Sequence, residues 1–370
     1  MRIALVAPPF IPVPPPGYGG TELFIATLAE GLLERGHQVV VYANGESHGP
    51  FEVRALYPTG EWPPPSGVAG QFLNLTHYSW AVRDAASNCD VIHINDVSGV
   101  FFSPYVPQPV VLTLHHPHEE LLSNQYAQYP DVTYIAISDA QRRRERMPRL
   151  VTVHHGIDCA GYRVREDKDE FMAFLGRIAP CKGVDVAIEI ARRSGVPLKI
   201  AGQVQSFFQD FWERDVKPHI DGRLIEYVGE ADLALKNDIL GRARALLFPI
   251  QWEEPFGLVM LEAMACGTPV IAFDRGAVRE VIVHESTGWI CHDVDEMVDV
   301  VADLPAMPAR VCRHHVEQHF SLQRMTVSYE RLYRSSLSGL EEEEDTVVSV
   351  GLGERTTRNA RPGLFRPAKH

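Results

Sequence analysis

No C-x-x-C pair occurs in this 370-residue chain, and its six cysteines (Cys89, Cys159, Cys181, Cys266, Cys291, Cys312) fall at no metal-ligand spacing, which excludes a closed zinc module read from spacing. Thiols scattered in this way fit a reducing cytoplasm. Also missing is any apolar run near the roughly 18 residues that a membrane span needs. The opening Met1-Arg-Ile-Ala-Leu-Val-Ala-Pro-Pro9 is too briefly apolar for a signal peptide and reads as a first buried strand. Cations are scarce: 35 Lys and Arg stand against 48 Asp and Glu, a net charge of −13. A phosphate backbone rewards clustered cations, so nucleic acid is excluded as a general partner. No G-x-G-x-x-G follows the first strand, which argues against a dinucleotide-dependent dehydrogenase.

What is present is a two-part α/β pattern. The length suits two domains, and 45% hydrophobic residues allow a core in each. Apolar strands are expected at Ile3–Ala7, Val39–Tyr42, Val91–Ile94, Val110–Leu114 and Tyr134–Ile137, with a helical stripe over Thr21–Arg35 closed by Gly36. The series then repeats: Phe171–Leu175, a helix over Val184–Arg193, Leu198–Ala201, Leu224–Val228, Ala245–Phe248 and Val270–Phe273. Continuous apolar strands alternating with helices imply parallel sheets covered on both faces, hence two doubly wound domains. The boundary falls near Gly161 to Asp169, where the chain is charged and aperiodic, giving domains 1–165 and 166–320. The segment 338–370, with its acidic run Glu341–Glu344, reads as a disordered tail, and 321–337 is set apart as a separate segment.

The densest chemistry lies in Glu254-Pro-Phe-Gly-Leu-Val-Met-Leu-Glu262. With a helix from Gly257 to Cys266, Glu254 precedes the N-terminus and Glu262 lies two turns on. A carboxylate beside bare amide donors suits sugar hydroxyls, which both donate and accept; a capping acid plus one acid on a wet face is the alternative. Gly176-Arg177-Ile-Ala-Pro-Cys-Lys182-Gly183 puts two cations at the carboxyl end of a strand, where open α/β sheets bind ligands. It is a pyrophosphate clamp or a surface corner. Gly19-Gly20 is a tight turn or a phosphate contact. His115 ends an apolar strand and would face the cleft, His116 less so. Asp167-Lys-Asp169 and Asp293-Val-Asp295 spell D-x-D yet follow no strand, and Arg142–Arg146 reads as a solvated helix face.

These segments together, with Ala136-Ile-Ser138 and His155-Gly-Ile-Asp158, resemble a retaining GT-B glycosyltransferase of family 4 over residues 1 to 336. The resemblance implies two Rossmann-like domains facing across a cleft. Arg177 and Lys182 would hold the diphosphate of a UDP- or GDP-sugar, with Gly19 and Gly20 closing from the other domain. Glu254 and the amides of Phe256, Gly257 and Leu258 would hold the transferred sugar, Glu262 the ribose, Gly229 and Glu230 would border the nucleoside, and His115 would touch the sugar. The resemblance also implies a crossing-back helix, a hydroxyl acceptor from envelope or glycoconjugate synthesis, no metal or other cofactor, and possible contact with the inner membrane face. One departure is His155, where the family has asparagine. A nucleotide-sugar 2-epimerase and a non-catalytic relative are the alternatives. The Pro- and aromatic-rich stretch Tyr42 to Ser79 is expected to be acceptor loops.

Overall fold

The structure, a computed structural model, describes residues 1–17 and 19–339; positions 340–370 of the expected tail lie outside the described residues. Seven parallel strands make the first sheet: β1 (Arg2–Val6), β2 (Gln38–Ala43), β3 (Glu52–Ala55), β4 (Val91–Ile94), β5 (Val110–Leu114), β6 (Thr133–Ala136) and β7 (Leu150–Thr152), in the order β3-β2-β1-β4-β5-β6-β7. Six more make the second: β8 (Met172–Leu175), β9 (Leu198–Ala201), β10 (Ile225–Tyr227), β11 (Ala245–Phe248), β12 (Val270–Phe273) and β13 (Gly288–Cys291), in the order β10-β9-β8-β11-β12-β13. In both, the order reverses beside the first strand, which opens a crevice at the carboxyl ends there.

Strand alternation explains the layers. Ile3 and Leu5 enter one core while Ala4 and Val6 enter another on the opposite face. In the second sheet Met172 and Phe174 point one way, Ala173 and Leu175 the other. Every one of these residues is buried, as strands with helices on both faces must be.

The last helix, Leu322–Ser338, packs Leu322, Met325, Tyr329 and Tyr333 into the first sheet's core, beside Phe24 and Leu28 of the Gly20–Glu34 helix. A buried polar network fixes it. His93 meets Tyr333 Oη at 2.7 Å and Thr113 Oγ1 at 2.8 Å, and Thr113 Oγ1 meets Tyr329 Oη at 3.0 Å. Burial pushes the His93 ring down to about 3, so it works as a neutral hydrogen-bonding group.

The structure corrects the reading of residues 42–79 as loops. They contain β3 and the first half of a long helix, Val68–Asn88. That helix buries Gly70, His77, Tyr78, Ala81, Val82 and Ala85, a face of small and polar side chains instead of a Leu/Ile stripe. β3 is an edge strand of sequence Glu-Val-Arg-Ala with no fully buried residue. Neither has the apolar periodicity by which elements are recognised.

Candidate functional site

Five segments converge on the crevice because each follows the carboxyl end of a strand: Gly17–Thr21 follows β1, His115 follows β5, Arg177–Lys182 follows β8, Glu230 follows β10, and Trp252–Gly257 follows β11. They line a cleft of about 350 Å³, the size class of a small-molecule site.

Local backbone sets each side chain. Gly183 has φ +73° and starts the Val184–Ser194 helix. A Cβ there would collide with the Pro249 carbonyl oxygen, so only glycine lets the Arg177–Lys182 loop turn against β11. Gly257, at φ +87°, does the same before the Leu258–Ala265 helix. The first turn of that helix, with its backbone N–H groups, therefore lines the cleft beside Glu254.

Glu254 is 8% exposed. Its Oε2 accepts from Lys182 Nζ at 2.5 Å and from Trp252 Nε1 at 2.7 Å. The Lys182 ammonium also lies 4.9 Å from the centre of the Trp252 ring. The Arg177 guanidinium sits 5.7 Å from the Phe208 ring centre. One wall of the cleft thus carries two cations, a carboxylate and helix amides. Further along, Glu262 Oε1 accepts from Lys236 Nζ at 2.8 Å and Tyr162 Oη at 3.1 Å. Burial and the adjoining Glu262 carboxylate raise the Tyr162 phenol, so it stays a donor.

The opposite wall belongs to the first domain. Gly19, Gly20 and Thr21 line it at the start of the Gly20–Glu34 helix. His115 Nε2 hydrogen-bonds Asn95 Oδ1 at 2.9 Å, and Asn95 Nδ2 donates to the Val6 carbonyl at 3.1 Å. Since the amide oxygen can only accept, Nε2 carries the proton and Nδ1 is left as an acceptor. Burial, with His155, His93 and His116 nearby, drives the His115 ring well below its ordinary pKa. His115 is therefore a neutral acceptor and no source of a proton.

Of the residues expected from sequence, His115, Arg177, Lys182, Glu254, Gly19, Gly20, Glu230, Phe256, Gly257, Leu258 and Glu262 all line the cleft. Gly229 does not. At φ +85° it turns the chain and gives its carbonyl to the Gly202 N–H at 2.8 Å, so Glu230 and Ala231 reach the cleft instead. Sequence reasoning missed Trp252, Lys236 and Tyr162. Trp252 carried the one available signal, an aromatic two positions before a carboxylate; Lys236 and Tyr162 meet Glu262 only through the fold. His155, which stands where the family has asparagine, also lines the cleft, stacked 5.8 Å from His115 and edge-on to Phe256 at 5.2 Å.

Neither D-x-D segment lines the cleft. Asp169 pairs with Arg242, Asp295 with Arg193, and Asp293 caps the Val294–Ala302 helix through the Glu296 N–H. Among the described residues, Asp139, His154 and Glu280 bring ligand atoms within 4.8 Å of one another. The Glu280 carboxylate there accepts the backbone N–H groups of Asp139 and Ala140 at 2.7 and 2.6 Å and meets His154 Nε2 at 2.8 Å. Its acceptors are spent on joining the two domains.

Residues 18–160 match the family model of glycosyltransferase family 4, and residues 163–311 match that of glycosyl transferases group 1. The chain belongs to the GT-B glycosyltransferases of family 4. A phosphatidyl-myo-inositol mannosyltransferase of Mycolicibacterium smegmatis is 28% identical to this transferase over 320 residues, 78% of this chain and 80% of that one. Among solved structures, AviGT4, a glycosyltransferase involved in avilamycin A biosynthesis, superposes with a TM-score of 0.68 at 27% identity, covering 91% of this chain and 98% of that one. The sucrose-phosphate synthase from Thermosynechococcus elongatus superposes with a TM-score of 0.77, covering 91% and 99%. At 19% identity that likeness speaks for the fold. No helix among the described residues of the transferase is long and apolar enough to cross a membrane.

Proposed function

We propose that the enzyme transfers a hexose from a UDP- or GDP-sugar to a hydroxyl acceptor with retention of anomeric configuration and without a metal. One observation carries the reading: Arg177, Lys182, Glu254, the first turn of the Leu258–Ala265 helix and Glu262 all line a single cleft, as cations for a diphosphate and carboxylates for the hydroxyls of a sugar and a ribose would have to.

The chemistry follows from charge. Negative charge grows on the bridging oxygen as the sugar leaves, and Arg177 and Lys182 with the helix N-terminus meet it. Removing one such contact costs on the order of 3 kcal/mol of transition-state stabilisation, by analogy with oxyanion-hole deletions. Glu254 binds sugar hydroxyls and attacks nothing, unlike the paired carboxylates of glycoside hydrolases. The acceptor hydroxyl enters on the face the diphosphate leaves, and the departing phosphate takes its proton. Neutral His115 accepts from a sugar hydroxyl on the other wall. A 2-epimerase needs no acceptor pocket, and the relatives that resemble this chain include a mannosyltransferase and a glycogen synthase, with no epimerase among those named.

Mannose is the first sugar to test, because the mycobacterial relative is named a mannosyltransferase. The acceptor side is the first domain, where Phe72 and Tyr105 are exposed at 63% and 83%. Such side chains suit an acceptor with an apolar part, presented at a membrane surface.

Calorimetric titration with UDP, GDP and ADP, with and without magnesium, tests the donor clamp. The expected outcome is one preferred nucleotide, magnesium-independent, whose binding drops about 100-fold in Arg177→Ala, as loss of a charge-assisted contact worth about 1.5–3 kcal/mol allows. Equal weak binding of all three, unchanged in the variant, would sink the reading. A β-linked product from an α-linked donor would sink retention alone.

A further inference from the structure

Lys182 and Glu254 are joined to each other, and Trp252 holds both. A single oxygen, Glu254 Oε2, takes the Lys182 ammonium at 2.5 Å and the Trp252 indole N–H at 2.7 Å. The ammonium lies 4.9 Å from the centre of that same indole ring. Lys182 and Glu254 are largely shielded from water, their side chains 19% and 10% exposed. In such surroundings a paired lysine and carboxylate cancel, and the wall offers an incoming diphosphate little charge from Lys182. The same pairing occupies the carboxylate that the sugar hydroxyls need.

We infer that Lys182, Glu254 and Trp252 form a clasp that a diphosphate opens: phosphate oxygens draw Lys182 off Glu254, and only then is Glu254 available to the sugar. The inference rests on the reading of the cleft as a nucleotide-sugar site and adds an order of events within it. Phosphate oxygens carry more negative charge than one carboxylate, so the lysine moves toward them. Glu254 then loses its cation and keeps the Trp252 N–H, which holds the carboxylate in place while its remaining acceptor positions take hydroxyl donors. The clasp therefore selects a sugar carried on a diphosphate over a free hexose, which has nothing to offer Lys182. Trp252 is a positioning residue in this device: its N–H aims the carboxylate, and its ring gives the ammonium a second attractive surface.

The competition has a measurable sign. A lysine free of its carboxylate about one tenth of the time binds diphosphate about tenfold more weakly than a lysine always free. Glu254→Gln removes the competing charge, so the preferred nucleoside diphosphate among UDP, GDP and ADP should bind it about tenfold more tightly than wild type. Glu254→Asp keeps the charge but retracts it by one methylene, and should shift affinity the same way by a smaller factor. The gain should vanish in a Lys182→Met background, where Glu254→Gln changes nothing. Unchanged or weaker binding in a folded Glu254→Gln or Glu254→Asp protein would overturn the clasp, because Glu254 would then be orienting the lysine toward phosphate. Persistence of the gain in Lys182→Met would overturn it too. Failure of the cleft reading looks different: Arg177→Ala and Lys182→Met would both leave nucleotide binding untouched.

Discussion

Glu22 lies in the first turn of the Gly20–Glu34 helix, beneath the loop that would meet the diphosphate, and is 6% exposed. Burial raises its carboxyl from 4.5 to about 7, opposed only by a backbone hydrogen bond. The folded state therefore holds this proton more tightly than the unfolded chain. Its stabilising effect is complete below about pH 4.5 and is lost as pH rises to about 7. The change amounts to on the order of 3 kcal/mol. Glu22→Gln should flatten that slope, matching wild type near pH 4 and exceeding it at pH 8 in urea denaturation at both values. A stability gap independent of pH would refute the assignment. Arg177 and Lys182 were legible because they follow a strand end, and Glu254 because it precedes a helix N-terminus. Trp252 was not, since its value lies in touching two other side chains at once.

At the scale of elements, the loop from β8 into the Val184–Ser194 helix decides where both cations stand. Its turn depends on Gly183 at φ +73°, where a Cβ would run into the Pro249 carbonyl. A left-handed non-glycine residue alone costs about 1–2 kcal/mol, and the collision adds to it. Gly183→Ala should lower the melting temperature and weaken nucleoside-diphosphate binding about tenfold or more, as the loop moves off β11. A variant that is destabilised yet binds normally would separate the turn from the clamp. Strand–helix alternation made these elements readable, whereas the Val68–Asn88 helix stayed hidden because its buried face is glycine, alanine, histidine and tyrosine with a single valine.

Across the whole molecule, the two domains are tied beside the cleft by Glu280, which accepts backbone N–H groups of Asp139 and Ala140 and bonds His154, just past β7. No Glu280 atom lines the cleft. Under the proposed function, transfer needs both walls at once, Arg177 and Lys182 of one domain against the glycines and His115 of the other. Glu280→Ala orphans two partly buried N–H groups, a loss of about 1–3 kcal/mol that falls on the joined arrangement. The expected result is a fall of about tenfold in kcat/KM with nucleotide affinity held within about twofold, and a larger radius of gyration in small-angle scattering. An equal fall in nucleotide affinity would place Glu280 in the donor site.

From sequence alone came five strands of each parallel sheet, because strand burial on both faces is a local pattern written in runs such as Ile3–Ala7 and Val270–Phe273; β3, β7 and β13 went unread. The resemblance to family 4 supplied most of the cleft residues, the glycines, cations and carboxylates among them, while Trp252 and Lys236 went unread and Gly229 proved to lie outside the cleft. Only the tertiary structure decided which of these groups touch. Lys182 meets Glu254, and Lys236 and Tyr162 meet Glu262, across long stretches of chain. Glu280 reaches back to Asp139 from the other domain. Such pairings depend on how two cores dock and how loops close between them. No local periodicity encodes that, so the clasp and the domain tie became visible only once the chain was folded.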